Sequence, residues 1–74
     1  MTHTLTEARR LARWWREQSF VRVTRLPTTK RYWAEATGKA NGTPVERIDC
    51  TATSRRAALA GLCAALSVLV EDKR

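Results

Sequence analysis

From about Ser54 to Val70 the chain carries Leu59, Leu62, Cys63, Leu66, Leu69 and Val70 at helical spacing, which is one apolar stripe. The reverse side of that helix is not polar: Ala57, Gly61, Ala64 and Val68 occupy it. A helix apolar nearly all round must be covered on two sides. The rest of a 74-residue chain has to supply that cover, or a second copy of the chain does, through Ala57, Gly61, Ala64 and Val68. The small residues among these permit close approach of another helix.

The preceding segments show what is available. Leu5, Ala8, Leu11, Ala12 and Trp15 recur at helical spacing, and Thr4-Leu5-Thr6-Glu7 ahead of them reads as a capping box that marks the start of a first helix. From Phe20 the period changes to two. Val21 and Val23 alternate with Arg22 and Thr24, and Pro27-Thr28-Thr29 closes the segment as a turn, because proline cannot donate to a sheet ladder. A second strand places Tyr32, Ala34 and Ala36 on one face, with Arg31, Trp33, Glu35 and Thr37 on the other. Gly38 to Thr43 contains Asn41-Gly42, suited to a tight hairpin, and a third strand runs from about Val45 to Ala52 with Ile48, Cys50 and Ala52 inward.

The order is therefore helix, three strands, helix. Hairpin-connected strands form an antiparallel sheet, and the expected fold class is α+β (αβββα) with both helices packed on one face of the sheet. Residues 1–74 make one domain, of a size that buries only about 60% of its unfolded surface. There is little room for a deep cleft.

Several function classes lose support at this level. Cys50 and Cys63 have no paired metal-ligand spacing and lie in apolar runs, so no metal or cofactor is expected and a reduced, cytoplasmic protein is the simplest reading. The start Met-Thr-His-Thr-Leu lacks a charged leader followed by an apolar stretch, so no signal peptide is visible. Ala57 to Val70 is shorter than the roughly 20 residues a bilayer requires. The one histidine, His3, sits near the terminus, no nucleophile, base and orienting group come together, and Glu46 and Asp49 on the third strand read as surface carboxylates. The chain is expected not to be an enzyme.

Charge points elsewhere. The formal net charge is +7, and residues 1–31 hold eight basic groups against two acidic ones. Helical geometry gathers Arg9, Arg13 and Arg16 beside the buried face of the first helix, with Trp14 at the opposite border, half exposed. Arg22, Arg31, Trp33 and Arg47 share the outer face of the sheet if both helices cover the other, and there the indole could stack on a base or receive an arginine. The alternative for Trp33 is a place in the core. Arg55 and Arg56 stand in the first turn of the last helix, where the helix dipole disfavours cations. Together with the Ser54 hydroxyl and free backbone amides they make a seat for phosphate or carboxylate, unless they extend into water or pair with Glu46 or Asp49.

The run Ser54-Arg55-Arg56-Ala57-Ala58-Leu59-Ala60-Gly61-Leu62-Cys63-Ala64-Ala65-Leu66 resembles the second helix of double-stranded-RNA-binding domains. That family has the same order of elements and opens this helix with a basic pair that contacts phosphates. The resemblance implies that role for Arg55 and Arg56. More loosely, a tiny basic chain with tryptophans, a sheet and an alanine-rich closing helix is similar to phage-encoded accessory proteins, including anti-CRISPR inhibitors, which imply a host protein complex as partner and a phage-infected bacterial host as the setting.

Two functions are expected from these features. The first is a non-enzymatic module that neutralises nucleic-acid phosphates, DNA or RNA, with Arg9, Arg13, Arg16, Arg55 and Arg56 and reads little sequence. Five such contacts on duplex DNA imply a log–log salt slope of up to about −4. The second is an inhibitor of phage origin that docks on an acidic surface of a host defence or nucleic-acid-processing complex.

Overall fold

The amphipathic spacing at the amino terminus produces α1 (Leu5–Trp15), which buries Ala8, Leu11, Ala12 and Trp15. Three strands follow, β1 (Ser19–Leu26), β2 (Arg31–Ala40) and β3 (Thr43–Ala52), and then α2 (Arg55–Asp72). This is a computed structural model, and it describes residues 5–72. The capping box at Thr4 and the histidine His3 lie outside the described residues.

The sheet is antiparallel in the order β1-β2-β3, so β2 is central. Its register puts Val23, Ala34 and Cys50 in one row and Val21, Ala36 and Ile48 in the next, all on one face. Both helices lie on that face, α1 over β1 and α2 over β3 and β2, and they also pack against each other. The expected αβββα arrangement is therefore the observed one. Within the chain, the sheet takes one flank of α2 and α1 takes another.

The core is aliphatic and small. Ala34 and Ala36 on the central strand are fully buried, and with no long side chain between them and the helices they bring α2 close to the sheet. Leu62 and Leu66 fill the space at no exposure, beside Leu59, Cys63 and Trp15. Truncating either leucine to alanine costs about 2–5 kcal/mol in a core of this kind.

One boundary differs from expectation. β3 begins at Thr43 instead of about Val45, because the Asn41-Gly42 turn is tight: Asn41 has φ 53 and Gly42 φ 80, the paired positive angles of a two-residue hairpin. A register irregularity between Gly38 and Lys39 lets pairing continue to Ala40↔Thr43, and Pro44 is accommodated because β3 is an edge strand. The β1–β2 turn closes with the Lys30 N–H donating to the Leu26 carbonyl at 2.9 Å.

Gly61 is a correction. The sequence places it on the reverse side of α2, open to close approach by another helix, but it packs against a strand, at Cys50 of β3, where an added Cβ would overlap the sulfur. The last helix sits on the sheet at this point, and only a residue without a side chain lets the two backbones approach so closely. Ala57, Ala64 and Val68, expected to be covered by another helix, are exposed. A self-association face through α2 thus loses Gly61.

Candidate nucleic-acid interface

Ten residues stand out by charge and position, and the fold distributes them over three places. Arg9 and Arg13 lie on the exposed side of α1, above the β1 edge. They line a shallow depression of about 190 Å³ together with Ser19, Phe20 and Val21. The same two arginines line a second depression of about 320 Å³ with Thr6, Arg10 and Trp14. Arg9 and Arg13 thus form a ridge between Trp14 and Phe20. Neither makes an ion pair among the described residues.

Arg16 ends differently. The chain leaves α1 at this point, the Arg16 N–H bonds back to the Ala12 carbonyl at 2.8 Å, and the side chain reaches across the end of the sheet to Glu46 of β3. Its Nε and one terminal nitrogen donate to the two carboxylate oxygens, the latter at 2.8 Å, and the other terminal nitrogen donates to the Trp15 carbonyl at 3.0 Å. The hydrogen bond to Glu46 raises the guanidinium pKa further above its ordinary value. Arg16 is a clamp between helix and sheet, with its charge met internally.

The outer face of the sheet carries Arg22, Arg31, Trp33 and Arg47, as strand alternation requires, and no helix covers it. Trp33 is surface, partly buried, with the Arg47 guanidinium 5.4 Å from its ring centre. Two of the three arginines are engaged. Arg22 donates twice to Glu35, at 3.1 and 2.8 Å, and Arg47 is 3.6 Å from Asp49. Glu35 is only 8% exposed although it lies on the uncovered face, because it occupies the middle of the central strand between flanking side chains. Arg31 is exposed and makes no ion pair among the described residues. A broader depression of about 710 Å³ on this face is lined by Phe20, Arg22, Glu35, Thr37 and Arg47 among others, and it meets the α1 ridge at Phe20.

Ser54, Arg55 and Arg56 begin α2 as expected. The Ala57 N–H donates to Ser54 Oγ at 3.1 Å, so the serine oxygen caps the helix and satisfies one of its end amides. Arg55 and Arg56 are exposed, and neither Glu46 nor Asp49 pairs with them: those carboxylates hold Arg16 and Arg47. They also stand far from the α1 ridge. Phe20 pairs with Thr37 near one end of β2, whereas Ala52, just before α2, pairs with Tyr32 at the other, roughly 17 Å of strand away. In double-stranded-RNA-binding domains a third basic residue follows one turn later; Leu59 stands there in this chain, 2% exposed in the core.

Two aromatic residues complete the ridge, and they are not among the ten. Trp14 is 54% exposed and Phe20 is 55% exposed. Each has a cation over one ring face: Arg10 lies 5.3 Å from the Trp14 centroid and Lys39 lies 4.1 Å from that of Phe20. Arg10 is held in turn by Glu7, one turn back on α1, at 2.6 and 2.7 Å. The signal for Phe20 was present in the sequence: with Val21 and Val23 inward, strand alternation turns Phe20 outward beside Arg22.

Among the described residues no three His, Cys, Asp or Glu side chains gather in a group able to hold a metal ion, and no helix is long and apolar enough to cross a membrane. No protein-family model, curated protein or solved structure matches the chain.

Proposed function

We propose that this chain is a non-enzymatic binding module that contacts the phosphate backbone of nucleic acid, with low sequence specificity, through the α1 ridge. The observation that carries the reading is the state of Arg9 and Arg13: both are exposed, neither is neutralised by a carboxylate among the described residues, and both border the same two depressions. Cations left unpaired on one surface release condensed counterions when they meet phosphates, and that release drives sequence-independent binding. Arg10 contributes at the margin, while Arg16 and Arg22 serve the fold. The contact set is smaller than five arginines in one zone. With Arg9 and Arg13 as its centre and Arg10 beside them, the slope of log affinity against log salt on duplex DNA is about −3 at most.

A second reading rests on a different surface. Val68 is 58% exposed and shares the outer side of α2 with exposed Ala57 and Ala64, an apolar strip suited to a protein partner, whether a host complex blocked by a phage-type inhibitor or a second copy of this chain. A mobility-shift series with a short duplex at rising salt tests the first reading. Affinity that falls with salt and is weakened, with a shallower salt slope, by the double change Arg9→Ala, Arg13→Ala supports it. Salt-insensitive affinity, or a stoichiometric protein partner that survives nuclease treatment in place of any oligonucleotide binding, overturns it.

A further inference from the structure

We infer that the α1 ridge is built for single-stranded nucleic acid, with Trp14 and Phe20 as stacking platforms on either side of the Arg9–Arg13 pair; this rests on the nucleic-acid reading above. Two large aromatics, each about half exposed, flank two unpaired arginines on one surface. Each ring is covered by a cation on one face and keeps about half of its surface open. That arrangement presents a π-face and a positive charge side by side. A nucleotide has the complementary pair, a base and a phosphate.

Duplex DNA cannot use the rings, since its bases are stacked on each other and only its phosphates are accessible. A single strand can offer both groups, and base–aromatic stacking is tolerant of sequence because every base has a π-face. The adjoining outer face of the sheet, reached at Phe20 and carrying the Trp33–Arg47 stack, extends the surface for a strand that continues past the ridge. Arg22 and Arg47 there are paired with carboxylates and Arg31 is the one arginine beside Trp33 unpaired among the described residues, whereas the ridge sets two unpaired arginines between two rings more exposed than Trp33.

The experiment is fluorescence anisotropy at fixed low salt with three labelled probes of equal phosphate number per strand: oligo-dT, an abasic oligomer of the same length, and a duplex. The expected order is oligo-dT tightest. Trp14→Ala and Phe20→Ala, both exposed and away from the core, each weaken oligo-dT binding roughly fivefold to a hundredfold while leaving the abasic and duplex probes unchanged. Circular dichroism checks that both variants remain folded. If the abasic probe binds as tightly as oligo-dT, or the two aromatic variants leave oligo-dT binding intact, the stacking inference is overturned while phosphate binding stands. If no probe binds, or Arg9→Ala with Arg13→Ala changes nothing, the underlying reading is overturned as well.

Discussion

Arg16, at the exit of α1, grips both carboxylate oxygens of Glu46 on β3, thirty positions away in the chain. The clamp crosses the central strand at the end of the sheet, where the aliphatic part of Arg16 lies over Gly38 of β2 and an added Cβ would come within 2.9 Å of Arg16 Cγ. It ties α1 to the strand farthest from it. Glu46→Gln removes the charge and one of the two acceptor oxygens, so the thermal midpoint is expected to fall. The same change releases a guanidinium beside the α1 ridge. Oligonucleotide affinity should therefore rise or stay level as stability drops, and a parallel fall in both measurements would contradict the assignment of Arg16 to the fold.

Gly61→Ala tests the close approach of α2 to β3. Alanine gains about 1 kcal/mol over glycine in helix propensity, but overpacking at a site this tight costs about 1–3 kcal/mol. The contact involves both the sulfur and the Cβ of Cys50, so the helix itself must shift, and the net effect is expected to be destabilising. Adding Cys50→Ala removes the sulfur and should recover part of the loss. Urea unfolding of the two single variants and the double variant gives the coupling directly.

Arg22→Ala leaves the Glu35 carboxylate, nearly buried in the middle of β2, without the two hydrogen bonds it accepts. A buried acceptor stripped of its partner costs on the order of 1–3 kcal/mol. The double change Arg22→Ala, Glu35→Ala should be less destabilising than the sum of the two single changes. Binding of oligo-dT is expected to respond less than stability does. A large affinity loss with unchanged stability would move Arg22 from the fold to the interface.

Burial raises the Cys63 thiol pKa, with the charge of Glu7 on α1 adding to the effect. The protonated form is the one the fold favours, so the folded state holds its proton at a pH where the unfolded chain has released it. Stability from this group is complete below the ordinary thiol range and is lost as pH rises through that range towards the raised value. Denaturation midpoints should decline on the alkaline side, and Cys63→Ala should flatten that decline. An identical alkaline decline in the variant would remove Cys63 as its source.

Arg9→Ala with Arg13→Ala should reduce the magnitude of the salt slope on duplex DNA by about 2, roughly one unit for each phosphate that is no longer neutralised. Because both side chains are exposed and unpaired among the described residues, the unfolding free energy is expected to stay within about 0.5 kcal/mol of the parent. Arg55→Ala with Arg56→Ala provides the comparison. If that pair lowers the slope as much as the ridge pair does, the two cationic places act on one bound strand despite their separation.

The order of elements was legible in the residues because local periodicity is enough to set it. Leu5, Ala8, Leu11, Ala12 and Trp15 could only share a face on a helix, and Val21, Val23, Ala34 and Ala36 could only share one on strands. Asn41-Gly42 announced its hairpin because positive backbone angles are cheap for those two residue types. Trp33 was open between core and surface until alternation with buried Ala34 and Ala36 turned it outward. Phe20 was readable by the same rule.

What no local pattern contained is which charges meet. Arg16 and Glu46, or Arg22 and Glu35, are far apart along the chain, and their pairing depends on strand register and on where the exit from α1 lands. Gly61 had the spacing of the side opposite the leucine stripe, yet it packs against Cys50 of β3. Side-chain periodicity is a property of neighbours in sequence, so the chain alone determined its elements, their order and their inward faces. The arrangement of charge is a property of neighbours in space, so only the packed structure decided that Arg16 and Arg22 are neutralised and that Arg9 and Arg13 stand free between two exposed rings.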